Sequence, residues 1–535
     1  MAGIFKKIMN FESKSISGGA FVIAIFYILN GVLGLIRNGL LASKFGASRI
    51  LDIYWASFRI PDLLYVIFIS GALSAGFIPF FAQKLKQSKE EAWRLANNIL
   101  STLILMMMVL AILTIFLAPR IVPLIVPGFD KADQAQVVSF LRIMMIQPIF
   151  LGISSILSGV LQTFRRFFIT SLSPIFYNLG IIIGIVFFTQ IMGPIGLAYG
   201  VVFGSLLHLA ILLPTLKNVG FHFKFLPDFH STNLKQLFSI AGPRTLSLIS
   251  TQINFFVITI IASTLKEGSL AIFNFANDLQ YLPQNIFAVS FAISAFPILS
   301  SLVHEREKFN ETMVQTIKNI LFFLIPISVF YFVFRSPLVH LTLRYGNFNI
   351  SAANEALEVL GIFALGMVAS GLLPLLIRAF FAKQDAYRPF FAGLSANVLN
   401  VILSLIFAPR WGVKGLASSF VISSYFNLVL LWIGLIRRKI IEMNIGDWKK
   451  LGRFILNNLF CALIAGIVSY FYLRFTYPLF NTALFWSLFI QLFIGGVVFV
   501  GAYGGTSYLL MREDFLTFFR ENSFIKKLFK KPDEV

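Results

Sequence analysis

The sequence predicts an all-α polytopic membrane protein with about fourteen transmembrane helices. Three observations predict this class. The chain is 58% hydrophobic and only 13% charged, whereas soluble domains are about one quarter charged. Apolar segments long enough to cross a bilayer recur along the whole chain. Lys and Arg are concentrated in alternate loops, which is the charge distribution of multi-pass membrane proteins.

The apolar segments account for most of the chain. The basic start of the first segment resembles a signal peptide, but no small-residue cleavage site follows it, so we expect a retained helix. The segments cover residues 17–44, 50–82, 95–118, 135–161, 167–192, 194–216, 233–264, 268–303, 314–334, 354–382, 388–408, 412–436, 451–475 and 481–511.

The loop charges predict the topology. If the N-terminus is cytoplasmic, loops and span ends on that side carry roughly three times as many Lys and Arg residues as the opposite side. Both termini are therefore predicted to be cytoplasmic. Two segments on that side mix aromatic and basic residues, and we expect both to lie on the inner leaflet. They are the linker 217–235 and the basic amphipathic tail 512–535.

An internal repeat organises the spans into two lobes. Residues 222 positions apart are identical at six places, starting with Gln162 and Gln384 and including Asn178 and Asn400. Membrane helices use few residue types, so some identities arise by chance, but an internal duplication explains these six better. Because each half has an even number of spans, we expect two six-helix lobes in a pseudo-twofold arrangement about the membrane normal. The predicted units are an N-terminal lobe (1–216), the linker (217–235), a C-terminal lobe (236–440), a helix pair (441–511) and the tail (512–535).

Several function classes are excluded by missing motifs. The chain contains no glycine-rich loop ending in Lys-Ser or Lys-Thr, so ATP hydrolysis is not expected. The five histidines are scattered and Cys461 is the one cysteine, so we expect no metal site, no cofactor and no catalytic residue. The net charge of +21 resides at the ends of apolar runs, which argues against a nucleic-acid partner and for the lipid bilayer.

Charged residues inside the first two spans indicate a functional site. Arg37 and Asn38 lie in the first span, and Arg59 and Asp62 in the second. The hairpin between them is short, so we expect the two spans to pack together. At ~1.5 Å per residue, Arg37 and Arg59 lie about 10 to 13 Å below one membrane face. A central charge costs ~2.5 to 3.5 kcal/mol to insert, so each should face a cavity or a partner. The alternative is that Arg59 and Asp62 form a pair that only stabilises the hairpin.

Three further charges lie in later spans. Asp278 in the eighth span lies at about the depth of Asp62, roughly 15 Å from the outer face. Arg378 is also a candidate substrate-binding residue, although it and Arg142 lie within reach of the inner interface, where long basic side chains extend to the headgroups. The expected substrate-binding residues are Arg37, Asn38, Arg59, Asp62, Asp278 and Arg378.

Two stretches around the hairpin resemble a known family. VLGLIRNGLLASKFGAS and LDIYWASFRIPDLLYVIFISGALSAGFIPFF closely resemble the opening of the MurJ (MviN) family of lipid II flippases, in the multidrug, oligosaccharidyl-lipid and polysaccharide exporter superfamily. RYGNF from Arg344 and IRAFFAKQDAYRP from Ile377 also resemble that family. The resemblance implies export of lipid-linked peptidoglycan precursor from the inner to the outer leaflet of the bacterial plasma membrane, by alternating access and without ATP.

The resemblance also implies partners and residue roles. The substrate would be a polyprenyl-pyrophosphate-linked sugar-peptide, with its tail in a groove formed by the terminal helix pair and its head in a cationic cavity. Other cell-wall synthesis proteins are candidate partners. Arg37 matches the family's arginine in the first span, and Arg59 its basic residue before proline. The chain departs from the family in that Gly31, Tyr65 and Asp278 stand where arginines are usual, and Asn38 and Asn277 stand where acidic residues are usual.

Two other functions stay open. A cation-coupled multidrug antiporter, or an exporter of another lipid-linked oligosaccharide, would share the superfamily fold. A coupled antiporter needs carboxylates that line a lobe, and in the second lobe only Asp278 lies at depth. A membrane scaffold that transports nothing would need none of the cavity charges, so unchanged behaviour after their substitution would favour it.

Overall fold

The structure is a computed structural model that describes residues 16–70, 77–442, 444–480 and 484–521. Within these ranges every regular element is a helix, which confirms the predicted all-α class. The end of the predicted tail, residues 522–535, lies outside the described residues.

The helices of the first part of the chain precede the linker. They are α1 (Ile16–Phe45), α2 (Arg49–Ser57), α3 (Arg59–Tyr65), α4 (Ile78–Gln87), α5 (Lys89–Ile125), α6 (Lys131–Met144), α7 (Gln147–Thr163), α8 (Phe167–Ile183), α9 (Thr189–Met192), α10 (Gly196–Ala210) and α11 (Leu213–Asn218).

The helices that follow the linker reach the start of the tail. They are α12 (Thr232–Ser263), α13 (Ser269–Pro283), α14 (Ser290–Ser301), α15 (Arg306–Val333), α16 (Arg335–Thr342), α17 (Ile350–Ala382), α18 (Tyr387–Trp411), α19 (Val413–Arg437), α20 (Ile445–Thr476), α21 (Phe485–Leu510) and α22 (Arg512–Glu521).

Eleven helical stretches in the described ranges are long and apolar enough to span a membrane. One of them, Phe167–Asn218, contains the predicted fifth and sixth spans together. The predicted second span is divided among α2, α3 and α4, and the predicted seventh span coincides with α12. The chain is thus a multi-pass helical protein, and the number fourteen remains a prediction.

The second span breaks one turn before its proline. Pro61 has no N–H to donate to Ser57, and the helix is interrupted at Phe58, between α2 and α3. After α3 the chain continues as a π-helix, Val66–Ser70. A π-helix also follows Pro283 in the eighth span, over Gln284–Val289. The second span of each predicted half therefore departs from α-geometry.

Two helix ends, one in each predicted half, have the same backbone geometry. Arg165 and Gln384, which are 219 residues apart, both adopt positive φ, at 56° and 59°. Each ends its helix in the same way, because the next residue donates its N–H to a carbonyl five positions back, at Leu161 and Phe380. The two helix ends share a local geometry, although their offset of 219 residues differs from the 222 that aligns the sequence identities.

The fold consists of two compact units. The first comprises the chain up to Phe275 together with Tyr345–Ala352 and Gly393–Leu416, and the second comprises Ala276–Arg344, Ala353–Ala392 and the chain from Ala417. In the first unit an apolar core forms around Phe77, Phe81 and the start of α5. The sequence-based lobe boundaries at 216 and 236 remain a prediction.

The terminal helix pair is anchored in the second unit by buried polar contacts. Asn458 of α20 donates its side-chain amide to the Leu321 carbonyl at 3.0 Å. The Tyr503 hydroxyl of α21 contacts the Phe322 carbonyl at 3.0 Å and the Asn458 side-chain oxygen at 2.9 Å. Because α20 and α21 add residues to the apolar core around α15, they are integral to this unit.

Candidate functional site

Arg37 lies in a network of side-chain amides. Its guanidinium donates to the side-chain oxygen of Asn38 at 2.9 and 3.1 Å and to that of Asn178 at 3.1 Å. Asn178 in turn donates to the side-chain oxygen of Asn30 at 2.9 Å. The network connects α1 to α8, so the first span packs mainly against the fifth. The sequence instead suggested that the first two spans pack together along the hairpin.

Arg59 is buried, with 6% of its surface exposed. Its Nε donates to the Thr259 hydroxyl at 2.7 Å, and Nη2 donates to the Asn274 side-chain oxygen at 3.2 Å. The guanidinium carbon also lies 5.3 Å from the centre of the Phe255 ring. The Thr259 and Asn274 acceptors are neutral oxygens, and the Asp62 carboxylate on the same helix also interacts electrostatically with the guanidinium.

Asp62 lies one turn after Arg59 on α3 and is half-buried. Tyr65, one turn further, places its hydroxyl 2.9 Å from the Ser155 hydroxyl of α7. The position where the family resemblance implies an arginine is therefore occupied by a neutral hydrogen-bonding group.

A second polar cluster lies at the start of the second span, next to the hairpin. The Asp52 carboxylate is buried and accepts the backbone N–H groups of Gly268 and Ala271 at 2.7 and 2.9 Å. It thus satisfies N–H groups at the start of α13, where a helix favours a negative charge. Arg49 contacts Asp133 at 3.1 Å, and its backbone N–H donates to Glu267 at 2.8 Å.

Two glycine contacts around this cluster mirror each other. Gly128 approaches Ser263 at the end of α12, and Gly346 approaches Ser43 near the end of α1. In both cases a Cβ would lie 2.3 Å from the serine carbonyl oxygen, so a larger residue would not fit. The end of the first helix of each predicted half is therefore held by a loop from the other half. We name Asp52, Arg49, Gly128 and Gly346 the hairpin latch.

The remaining predicted site residues have other settings. Asp278 and Arg378 are half-buried and belong to the second unit, where Arg378 donates to the Pro374 carbonyl at 3.1 Å. Arg142, expected to be peripheral, donates to the Ile115 carbonyl at 3.2 Å in an exposed setting. The structure thus places Arg37, Asn38, Arg59 and Asp62 in one unit, and a role in substrate binding stays a prediction for all six residues.

Sequence reasoning missed the residues that hold the two arginines. Asn30, Thr259 and Asn274 are single polar residues in apolar helices, a pattern too common to select them. Asn178 carried a signal, because it is one of the six repeat identities. A polar residue retained in both halves at membrane depth needs a partner, and that requirement points to a helix contact.

The second unit contains an apolar groove of about 650 Å³. One wall is α20, and α15, α17 and α19 supply the others. Tyr425 and Tyr470 are its main polar side chains, so the groove suits an aliphatic chain better than a charged group. Its lining includes Val329, Phe332, Leu365, Leu459, Leu463 and Ile467.

A larger cleft of about 1010 Å³ lies beside the start of α15. Its lining carries both signs of charge, and Arg306 pairs with Glu442 at 3.2 Å. The other acidic residues are Glu307, Glu311 and Asp447. Because acidic side chains are at least as numerous as basic ones, the cleft does not suit a pyrophosphate.

Comparison with known proteins assigns the family. The family described as "Lipid II flippase MurJ" matches residues 41–490 of this chain. The chain belongs to the MurJ lipid II flippase family. The probable lipid II flippase MurJ of Buchnera aphidicola subsp. Acyrthosiphon pisum is 29% identical over 514 residues, covering 94% of this chain and 98% of the relative. The Burkholderia cenocepacia lipid II flippase MurJ is 27% identical over 462 residues, covering 84% and 89%.

Solved structures agree with the family assignment. A lipid II flippase MurJ in an inward closed conformation superposes with a TM-score of 0.74 at 25% identity, covering 92% of this chain and 100% of that one. A multidrug resistance MATE transporter in an inward-facing conformation gives a TM-score of 0.65 at 17% identity, covering 78% and 98%. The second likeness shows a shared fold. The MurJ family fold therefore extends over nearly all of this multi-pass membrane protein.

Proposed function

We propose that this chain moves lipid II from the inner to the outer leaflet by alternating access, without ATP. It would act as a transporter and catalyse no reaction. The observation that carries the proposal is the setting of Arg37 and Arg59, two cations among apolar spans that bind neutral amide and hydroxyl oxygens. A flippase for an anionic lipid needs cations that can hold the head group within the membrane, and these side chains supply them.

The chemistry of the head group fits a guanidinium. A pyrophosphate offers pairs of oxygens that match the planar donors of arginine, and such charge-assisted bonds are roughly twice as strong as neutral ones. A substrate phosphate could therefore replace amide acceptors such as Asn178 with a net gain. A ligand shifts a conformational equilibrium only if it binds one state more tightly than the other. The stronger bonds of the arginines to a phosphate would supply that difference in affinity.

The apolar groove fits the lipid tail. One of its walls is α20, the first helix of the terminal pair, and the others come from α15, α17 and α19. The α21 helix contacts the unit at Tyr503 and Phe499 instead. We assign the tail to this groove because its lining is aliphatic and aromatic, which suits a polyprenyl chain.

The hairpin latch would close one end of the transport route. Asp52 caps α13, and reciprocal glycine contacts hold α1 and α12. Alternating access requires such contacts to break when the outer end opens. In the predicted topology the latch faces the outside and both termini face the cytoplasm. Labelling of an Asn218→Cys variant only from outside the cell would contradict that orientation.

The test is a flipping assay with purified protein. Vesicles containing the protein and a fluorescent lipid II, without ATP, should lose inner-leaflet signal to a membrane-impermeant quencher faster than protein-free vesicles. A fluorescent phospholipid serves as the control cargo and should flip no faster than without protein. Equal rates for both lipids, or no rate above the empty vesicles, would refute the proposal.

A cation-coupled drug antiporter is the second candidate, because the MATE transporters share the fold. The same vesicles can be tested for accumulation of a cationic dye under a sodium or proton gradient. Dye transport without lipid II transport would establish the antiporter. If neither cargo moves although the protein is folded and inserted, the scaffold alternative is supported.

A further inference from the structure

The linker between the two predicted lobes is partly extended and lies along α5. Four side chains on one face of that helix bind the backbone of alternate linker residues. Asn97 accepts the Lys224 N–H at 3.0 Å and donates to the His222 carbonyl at 3.1 Å. Ser101 accepts the Leu226 N–H at 2.9 Å and donates to the Lys224 carbonyl at 3.4 Å.

Two further bonds extend the contact in the direction of α5. Asn98 donates to the Leu226 carbonyl at 3.1 Å, and Thr102 accepts the Asp228 N–H at 3.2 Å. The helix side chains thus replace the neighbouring strand that an extended segment normally needs. We name residues 222–229 the clamped strand, and Asn97, Asn98, Ser101 and Thr102 the clamp.

The side chains of the clamped strand are exposed although most are apolar. Phe223, Phe225 and Phe229 expose 52%, 58% and 49% of their surfaces, and Leu226 exposes 42%. By contrast, the neighbouring Phe221 is buried against Trp93. Aromatic residues exposed in a row would be unfavourable in water, so their number points to a non-aqueous environment.

The position of the clamp along α5 identifies that environment. The helix has 37 residues, or roughly 55 Å, against a hydrocarbon core of about 30 Å. Its first turn and a half carries Lys89, Glu90, Glu91 and Arg94, which belong in water, and the clamp begins on the next turn. The clamp therefore lies where the helix enters the bilayer, at the headgroup level, where Phe rings and a Lys side chain are favoured together.

We propose that the clamped strand is a membrane-interface site: Phe223, Phe225 and Phe229 insert among the lipids of the inner leaflet while Lys224 remains at the headgroups. The clamp permits this insertion, since a backbone at the edge of the bilayer must have its polar groups satisfied. The linker is then fixed to the third span through residues 222–229. Only the few residues between Phe229 and α12 remain to accommodate motion.

Spin labels test the site in the full-length protein in phosphatidylcholine–phosphatidylglycerol vesicles. In a Cys461→Ala background, single cysteines replace Phe225, Val109 and Glu307. Val109 is 57% exposed in the middle of α5 and serves as the lipid reference, and Glu307 is exposed at the start of α15 and serves as the water reference. Oxygen and a polar nickel chelate then report accessibility to lipid and to water.

We expect the chelate to collide with a label at 225 at least about threefold less often than with a label at 307. The oxygen collision rate at 225 should lie between the rates measured at 109 and at 307. Chelate access equal to that at 307 would place the strand in water and overturn the proposal. Low access to both reagents would also overturn it, because a protein partner on the strand would then cover the site. An Asn97→Ala/Ser101→Ala variant should increase the mobility of the label at 225 and leave that at 109 unchanged.

Discussion

Two equivalent helix contacts, one in each half of the repeat, differ in whether an arginine takes part. In the first half Asn178 of α8 donates to Asn30 of α1, and in the second half Asn400 of α18 donates to Asn254 of α12. The first contact includes Arg37, seven residues after Asn30. Seven residues after Asn254 the chain has Ile261, which is buried.

The difference separates a feature that both halves share, the amide pair, from one that the first half alone has at this point, the arginine. The amide pair recurs because a polar side chain inside an apolar helix needs a partner, and a partner on the adjacent span fixes the packing of the two. The charge at this point of the helix is present in the first half and replaced by Ile261 in the second. If Arg37 had only a structural role, we would expect an equivalent arginine in the second half. Its presence in the first half alone therefore favours a role in substrate binding.

The largest expected effect comes from removing the cations. Arg37→Ala and Arg59→Ala should each reduce lipid II flipping by about 100-fold or more, because two charge-assisted bonds to a phosphate contribute roughly 3 to 6 kcal/mol together. Since the amide and hydroxyl acceptors left behind are neutral, the loss of transport should exceed any loss of thermal stability. The measurements are initial flipping rates and melting temperatures in detergent.

Two controls separate binding from packing at these positions. Arg142→Ala should retain most of the flipping rate, because Arg142 is exposed and contacts a backbone carbonyl. If Arg59 only pairs with Asp62, the single Arg59→Ala change should destabilise the protein and the double change of both residues to alanine should restore stability and transport. A double variant with the wild-type rate would disprove a role for Arg59 in binding.

An intermediate effect should distinguish the two amide pairs. Asn178→Ala and Asn400→Ala each remove the amide–amide hydrogen bond of their pair, together with the other bonds of the same side chain, and should lower stability by about 1 to 2 kcal/mol. Asn178→Ala should also reduce flipping by about tenfold, since Asn178 orients Arg37. Asn400→Ala should leave flipping within about twofold of the wild type once folded amounts are matched. Equal losses of transport would mean that the two halves do not differ in function.

The smallest effect should be the same in both halves. Arg165 and Gln384 hold a left-handed conformation that glycine adopts without strain. Arg165→Gly and Gln384→Gly should each stabilise the protein by about 0.5 to 1 kcal/mol, raising the midpoint of thermal unfolding. A gain at one position and a loss at the other would show that the helix ends are not equivalent, in spite of their matching hydrogen bonds.

The sequence by itself determined the class of the protein and its internal symmetry. Apolar runs of helical length and a low charge content predict membrane spans. Such runs can cross a bilayer as helices, because a helix makes all its backbone hydrogen bonds within itself. The identities that begin at Gln162 and Gln384 revealed the duplication, and intramembrane charges marked Arg37 and Arg59. These signals are local or depend on fixed spacing along the chain, so they need no knowledge of which helices meet.

Only the tertiary structure decided which helices meet and which groups hold the arginines. Arg37 and Asn178 are 141 positions apart, and Arg59 and Thr259 are 200 apart. Hydropathy cannot choose among such pairings, because every apolar helix is equally able to face lipid or another helix. The contact of α1 with α8 and the clamp between α5 and the linker depend on the complementary shapes and hydrogen-bonding groups that folding brings together.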